Sequence, residues 1–296
     1  MPQHPAPPRA RLALIGAGAA LLLLLSGCAT NSPGEAAAAA AAKPLSQAAF
    51  ITRQLSVSST DFGEYLGQQA QKLSAGTTEF TAAYESGDDD LARALYAPTR
   101  SFYNRMLGAA GSFPELDASL DGPSAGWHTI EQALYAPAPA TAPSGRMSSP
   151  EQRSGPARQL DADTAALVAA VESIRPTVAE QADGVATLLS GRATAAAAGT
   201  EQPLSHTDLS DLQGYVDGSR EAFSGLRPIL VTQNAALATT LDHRFEAVEN
   251  ELNALRTGVT FPGYDTLTDT QRTSLRSAVA DLTDSFGIVP DTMDQP

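Results

Sequence analysis

Apolar residues recur at helical spacing through most of this chain, and this periodicity strongly limits the folds it can adopt. Between residues 61 and 86 the apolar stripe includes Phe62 and Leu66, which would share one face of a helix. Residues 235–255 repeat apolar side chains at spacings of 4, 3 and 4. Much of the 43% hydrophobic content is alanine, a strong helix former, and no alternating strand pattern or Asn-Gly hairpin occurs. The sequence therefore predicts an all-α fold assembled from helical bundles.

Capping residues and prolines predict where these helices begin and break. Asp88 or Asp89 is expected to cap a helix that begins near Leu91, and Thr268 opens a capping-box spacing before the last helix. A stretch rich in Pro, Ser and Gly from 136 to 156 is typical of a long surface connection. Two further helices are predicted. One begins at Asp161 or Asp163 and continues through Pro176 to Leu188, and the other begins at Thr207 or Asp208 and ends near Leu230.

The first 28 residues resemble a bacterial lipoprotein signal. Arg9 and Arg11 precede an apolar run of about 14 residues, 12–25, which is shorter than the ~20 residues that a membrane span requires. The tetrad Leu25-Ser26-Gly27-Cys28 resembles a lipobox, by which Cys28 becomes the lipidated first residue of the mature protein. The alternative is a cleaved signal followed by an incidental cysteine.

This processing predicts a location outside the cytoplasm. Residues 1–27 would be the signal peptide, 28–44 a flexible tether, and the lipid would hold the protein on the bacterial cell membrane, at the surface or in the periplasm. Which membrane carries the anchor stays open. A single cysteine excludes an intramolecular disulfide and a cysteine zinc cage. The net charge of −14 argues against a nucleic-acid partner, which requires a basic face.

The segment Gly126-Trp127-His128-Thr129-Ile130-Glu131 contains the most informative pair of polar residues. On a helix, His128 and Glu131 lie three positions apart and share a face, as the ligands of metal-binding helical bundles do. Imidazole with carboxylate suits iron or zinc, although a structural hydrogen bond explains the same spacing. His206 stands at a predicted helix start, and His243 is predicted to be a surface residue. The chain has no His-Glu-x-x-His motif.

Several motifs in order give the chain a resemblance to the imelysin-like family, which includes iron-uptake proteins of the EfeO and EfeM type. They extend from about residue 60 to residue 290. The segments are Gly87-Asp88 with Leu95-Tyr96-Ala97-Pro98-Thr99-Arg100, Phe113 to Asp121, Gly126 to Glu131, Ser205 to Gly214 with Gly218, and Tyr264 to Leu267 with Arg272.

The resemblance implies a fold, a cargo and partners. It implies two helical lobes, 45–150 and 151–296, around a cleft that captures iron, with zinc and copper as other possible metals. The protein would be a short form without a cupredoxin domain, acting without catalysis in an EfeUOB-type uptake system. Its partners would be a membrane iron permease and a haem peroxidase of the dye-decolourising type. The candidate metal ligands are His128 and Glu131 first, then Asp117, Asp121 and Glu201.

Departures from the family pattern keep two other functions open. Asn104 and Leu107 stand where the family has acidic residues, the acidic stretch after Asp121 is shortened to 122–125, and only Glu201 remains of the acids before Ser205. A helical scaffold or ligand-binding lipoprotein with a degenerate metal site is the first alternative. The second is a metallopeptidase, a label the family has carried, although the residues supply too few ligands for a catalytic metal.

Overall fold

The computed structural model describes residues 45–137 and 149–293, which are almost entirely helical. The helices are α1 (Gln47–Ser86), α2 (Asp89–Asn104), α3 (Pro114–Asp121), α4 (Gly126–Tyr135), α5 (Pro150–Val171), α6 (Val178–Leu188), α7 (Thr194–Ala198), α8 (Asp208–Leu255), α9 (Asp269–Phe286) and α10 (Val289–Met293). Two 3-10 helices cover Leu107–Ser112 and Tyr264–Thr266, and a π-helical turn covers Leu189–Ala193. In these ranges the only β pairing is an isolated bridge between Thr257 and Thr260. The all-α prediction is confirmed.

The predicted N-terminal features lie outside the described residues. They are the signal peptide over 1–27, the lipidation of Cys28 and the tether over 28–44. From Leu45 onward the described residues form one compact unit. None of the helices in this part of the chain is long and apolar enough to cross a membrane.

The apolar stripe of α1 is buried, as its periodicity predicts. α1 packs against α2, α5 and α8. Phe62, Leu66, Leu73 and Phe80 are each at most 3% exposed. Burying a side chain of this size contributes roughly 1.5–3 kcal/mol relative to leaving it exposed. Thus α2, α5 and α8 all pack against α1, whose apolar face is buried.

The C-terminal helices enclose an aromatic cluster. Phe223 and Phe245 lie on α8, and Phe286 lies at the end of α9; their ring centroids are 5.4 to 6.3 Å apart. Edge-to-face and offset arrangements at these distances are favourable for aromatic pairs. The predicted capping box at the start of α9 is present, with Thr268 and Gln271 bonding each other's backbone N–H groups.

The prediction that a helix opens at Asp161 or Asp163 is wrong, because α5 begins earlier. Ser149 and Gln152 form a capping box: the Ser149 N–H donates to Gln152 Oε1 at 2.8 Å, and the Gln152 N–H donates to Ser149 Oγ. Pro150 occupies the first helical position, where a missing N–H costs nothing. The proline that suggested a loop is therefore a helix start.

The prediction of one helix continuing through Pro176 is also wrong. α5 ends at Val171, and α6 begins at Val178 with a second capping box formed by Thr177 and Glu180. Proline has no N–H to donate and disfavours helical geometry in the residue before it, so Pro176 separates two helices.

The long helix α8 begins where it was predicted to begin and breaks near the predicted place. Thr207 is its N-cap residue, and Asn234 has non-helical backbone angles of φ −149° and ψ 81°. The Asn234 side chain accepts a hydrogen bond from the Leu237 N–H at 3.0 Å, so it caps the second half of the helix. The two halves correspond to the predicted segments that end near Leu230 and cover 235–255.

α5 packs against helices on the other side of the predicted lobe boundary at residue 150. Its neighbours are α1, α3 and α4. The predicted boundary therefore lies within a group of helices that pack together. The division into lobes 45–150 and 151–296, with a cleft between them, stays a prediction.

Candidate functional site

α4 begins with a backbone turn that favours glycine. Gly126 has φ +47°, and a Cβ at this position would lie 2.0 Å from the carbonyl oxygen of Leu120. The next residue, Trp127, is fully buried against two aromatic rings. Together they fix the first turn of α4. His128 and Glu131 follow on one face, and Glu131 is only 2% exposed.

The His128 imidazole lies between two carboxylates. Its Nδ1 is 3.1 Å from Glu131 Oε2, and its Nε2 is 3.4 Å from Asp121 Oδ1. The other oxygen of Glu131 accepts hydrogen bonds from the Ser205 N–H at 2.9 Å and the Ser205 hydroxyl at 2.7 Å. Burial opposes ionisation of Glu131, but the hydrogen bonds from His128 and Ser205 outweigh it and hold its pKa below the usual value.

A fully buried arginine connects the carboxylates behind this imidazole. Arg100 on α2 donates from Nη1 and Nη2 to the carboxylate of Asp121, the second bond being 3.1 Å long. Its Nε donates to Asp211 Oδ2 at 3.1 Å, and Asn104 Nδ2 donates to the other oxygen of Asp211 at 2.7 Å. Buried charges persist only when paired in this way, so Arg100 is the centre of an ionic network.

A second arginine joins the network from the π-helical turn. Arg192 donates from Nη1 to Asp121 and from Nη2 to both oxygens of Asp117, at 3.0 and 2.9 Å. The Tyr103 hydroxyl also donates to Asp117. The Arg192 side chain is 28% exposed, whereas Asp121 is fully covered. Arg192 is thus the more exposed of the two arginines in the network, since Arg100 is fully buried. Turns of this kind are frequent at functional sites.

The buried acids differ in how readily they ionise. Burial raises the pKa of a carboxyl, but for Asp121 the charges of Arg100 and Arg192 outweigh burial and lower it. For Asp211 burial dominates, and with the nearby charge of Asp121 it raises the pKa to about 6 despite Arg100. Burial also raises the pKa of Glu201. The site therefore combines firmly ionised acids with acids that hold their protons more strongly.

The structure brings together some of the predicted ligands. His128, Glu131 and Asp121 are in direct contact, and Asp117 joins them through a shared arginine. Glu201 instead accepts a hydrogen bond from a buried tyrosine hydroxyl of α8 at 3.1 Å. Across residues 45–137 and 149–293, no three His, Cys, Asp or Glu side chains are grouped so that they could hold a metal ion as they stand.

The residues that organise this site are not among the ligands predicted from the sequence. Arg100, Ser205 and Asp211 stand within the quoted motifs, so a signal for them was present. Arg192 stands in none of those motifs, and no local pattern distinguishes it from a surface arginine. Asn104, which stands where the family has an acid, donates to Asp211 and so satisfies a buried carboxylate oxygen.

Comparison with known proteins identifies the family of this chain. A family model described as imelysin, which also carries a peptidase label, matches residues 114–288. The iron uptake system component EfeO of Escherichia coli is 30% identical over 239 residues, which is 77% of this chain and 61% of that protein. The EfeO proteins of Shigella flexneri and Shigella sonnei match to the same extent. The chain thus spans about three fifths of the length of these relatives.

The fold and the site define an all-α protein with a buried ionic cluster that is rich in acids. The chain belongs to the imelysin family, and it is similar to the EfeO proteins within that family.

Proposed function

We propose that this protein is an extracytoplasmic, lipid-anchored component of an EfeUOB-type iron uptake system. It would capture iron at the His128 and Glu131 pair, with Asp121 behind it, and release the iron to a membrane permease. The single observation that carries this proposal is the His128 imidazole between two buried carboxylates, at 3.1 and 3.4 Å. The naming of the similar EfeO proteins as iron uptake components supports it.

The charge of the site favours a cation. The cluster holds five carboxyl groups against two guanidinium groups: Asp117, Asp121, Glu131, Glu201 and Asp211 against Arg100 and Arg192. Carboxylate oxygen with an imidazole nitrogen is a donor set that suits iron, and also zinc or copper. Because Arg192 pairs with Asp117 and Asp121, an entering cation must draw these oxygens away from the guanidinium group. Its exposure to solvent makes Arg192 the group most easily displaced.

Binding without chemical turnover is the second part of the proposal. The EfeO relatives are named as uptake components, although the family model carries a peptidase label. A catalytic zinc uses three protein ligands and an open position for water. A metallopeptidase would cleave a peptide library in a reaction that a chelator stops, and we expect no such cleavage.

The partners and the location follow from the same family relation. The permease would receive the iron, and a haem peroxidase of the dye-decolourising type would act in the same system. The lipid on Cys28 would keep the protein at the membrane surface, within reach of the permease and the peroxidase. Labelling with a palmitate analogue that Cys28→Ser abolishes would support the anchor.

A helical scaffold or ligand-binding lipoprotein is the second candidate function, and one observation favours it. Asp117 and Asp121 are both bonded to guanidinium groups, so two of the predicted ligands already have cationic partners. In that case the ionic cluster would serve only the stability of the fold, and no metal would bind.

Calorimetric titration with ferrous iron under argon distinguishes these candidates, with zinc and copper ions as further arms. His128→Ala should weaken binding by tenfold or more, because it removes the nitrogen ligand. The matched control is His243→Ala: His243 and Glu246 have the same spacing on α8, but their side chains are 74% and 66% exposed. Absence of binding, or equal binding by the wild type and His128→Ala, would reject the metal-binding proposal in favour of the scaffold.

A further inference from the structure

A cavity of about 540 Å³ lies between α2, the start of α8 and the segment that follows α8. Three arginines line it, Arg93, Arg105 and Arg256, together with His206 and the hydroxyl residues Ser205 and Ser210. No acidic residue is among its lining residues, although the protein carries a net charge of −14. We call it the arginine cavity. Its lining is opposite in charge to the cluster around His128.

Two of the three arginines have carboxylate partners at the margin of the cavity. Arg93 pairs with the exposed Asp90 at 3.3 Å, and Arg105 pairs with Asp217 at 3.0 Å. Neither of these acids lines the cavity. The pair with Asp90 is exposed and therefore weak, so an entering anion competes with it at low cost.

Arg256 differs from the other two. Its Nη2 donates to Gln213 Oε1 at 2.6 Å, and its guanidinium group lies 4.7 Å from the centre of the Phe261 ring. In the described part of the chain it has no carboxylate partner, and its Nε is hidden from solvent without any hydrogen-bond acceptor. Buried donors nearly always have an acceptor. A guanidinium group that has no carboxylate partner and lines a basic cavity indicates an anionic ligand.

The backbone at the cavity wall is held in a strained form. His206 has φ 56°, in the left-handed region that residues other than glycine seldom adopt. Its N–H donates to the Gln202 carbonyl at 2.9 Å, and its carbonyl accepts from the Tyr264 N–H at 3.0 Å. These two bonds hold the strained residue directly before α8. Strain that is maintained in this way is concentrated at ligand sites.

We infer that the arginine cavity binds a small oxyanion with two or more negative oxygens, of the carboxylate or phosphate type. A guanidinium group donates two parallel bonds to such an anion, and the Ser210 hydroxyl at the cavity wall can donate a further one. The cavity volume lies within the range of small-molecule sites. This inference goes beyond the proposed capture of iron and does not depend on it.

The test is calorimetric titration of the metal-free protein with citrate and, separately, with inorganic phosphate. Arg256→Gln should weaken binding of the anion by tenfold or more. The control is Arg244→Gln, which changes an arginine of α8 that pairs with Asp281 on the exposed surface at 2.7 Å. That variant should bind as the wild type does. Whichever of the two anions binds more tightly identifies the carboxylate or the phosphate class.

A second variant keeps the test decisive if Arg256→Gln does not fold. Arg256→Lys retains the charge but loses the paired donors, so its affinity should fall between those of the wild type and Arg256→Gln. Circular dichroism establishes that each variant is folded. Binding of neither anion by the wild type, or binding that Arg256→Lys and Arg256→Gln leave unchanged, would overturn the inference. Because no metal is present, failure of the proposed iron site has no effect on this result.

Discussion

The protein contains two His-x-x-Glu pairs with the same spacing and very different surroundings. His128 and Glu131 lie 3.1 Å apart at a buried ionic cluster, whereas His243 and Glu246 lie 3.8 Å apart with most of their side-chain surface exposed. The spacing alone therefore gives no indication of function. What distinguishes the first pair is the second carboxylate, of Asp121, and the arginines behind it.

The difference originates in the helices that carry the two pairs. α4 is short, begins at a glycine turn and is anchored by a buried tryptophan. This anchoring places His128 and Glu131 against the buried ionic cluster. The second half of α8 is amphipathic and buries Leu241, Phe245 and Val248, which leaves its histidine on the outer face. A polar pair on a surface helix contributes a few tenths of a kcal/mol, while a buried pair requires a complete set of partners.

Removal of the buried arginine should have the largest effect on stability. Arg100→Ala leaves Asp121 and Asp211 without their main cationic partner, and loss of one member of a buried ion pair costs about 3–5 kcal/mol. The control is Arg244→Ala, because Arg244 lies next to the exposed His243 and pairs with Asp281 at the surface. Its loss should cost about 0–1 kcal/mol, since Asp281 stays in water. Urea unfolding followed by circular dichroism measures both. Equal losses in the two variants would show that the cluster around His128 is no more constrained than the surface.

Substitution at the start of α4 should have the next largest effect. Gly126→Ala requires a left-handed backbone, at about 1–2 kcal/mol, and places a Cβ 2.0 Å from the Leu120 carbonyl oxygen, so the total should reach about 3 kcal/mol. Gly258→Ala is the matched control, because Gly258 also has a positive φ of 63° but no atom within 4 Å of an added Cβ. It should cost about 1–2 kcal/mol. If both alanine variants lose the same stability, close packing does not fix the turn before His128.

The comparison also shows how far sequence alone predicts this molecule. Local signals predicted the helical fold, the caps at Asp88 and Thr268 and the break near Asn234, because each depends on residues a few positions apart. Composition misled at Pro150, since a proline at a helix start and a proline in a loop have the same local neighbours.

The site was only partly predictable for a related reason. The His128 and Glu131 pair is local, and a motif indicated it. Arg192 reaches Asp121 across 71 positions of sequence, and no short pattern encodes that contact. The sequence therefore indicated the acids of the site but not the guanidinium groups that neutralise them.

Asp211, within the ionic cluster, should contribute a pH dependence of known sign to the free energy of unfolding. Because the pKa of Asp211 is raised to about 6, the folded protein keeps this proton between about pH 4 and 6, after the unfolded chain has lost it. Stability from this group is present at low pH and falls as the pH rises through that window. At 1.36 kcal/mol per pKa unit, the fall is about 3 kcal/mol.

Asp211→Asn tests this dependence, since the amide does not titrate. The stability of the wild type minus that of the variant, from urea unfolding at a series of pH values, should decline by about 2–3 kcal/mol from pH 4 to 6 and stay level above. Equal urea m-values would show that both proteins expose the same surface on unfolding. A difference that rises across this window would contradict the assigned role of burial at Asp211.

The smallest expected effect concerns competition for the carboxylates beside His128. Arg192 bonds both Asp117 and Asp121, so its guanidinium group holds the oxygens that the proposed iron site needs. Arg192→Ala should therefore tighten the binding of ferrous iron by about tenfold, which is about 1.4 kcal/mol. This change is opposite in sign to that of His128→Ala. Arg244→Ala removes the same charge beside the exposed His243 and Glu246 pair, and it should leave iron affinity unchanged. Weaker binding by Arg192→Ala would mean that this arginine holds the carboxylates in place for the metal instead of competing with it.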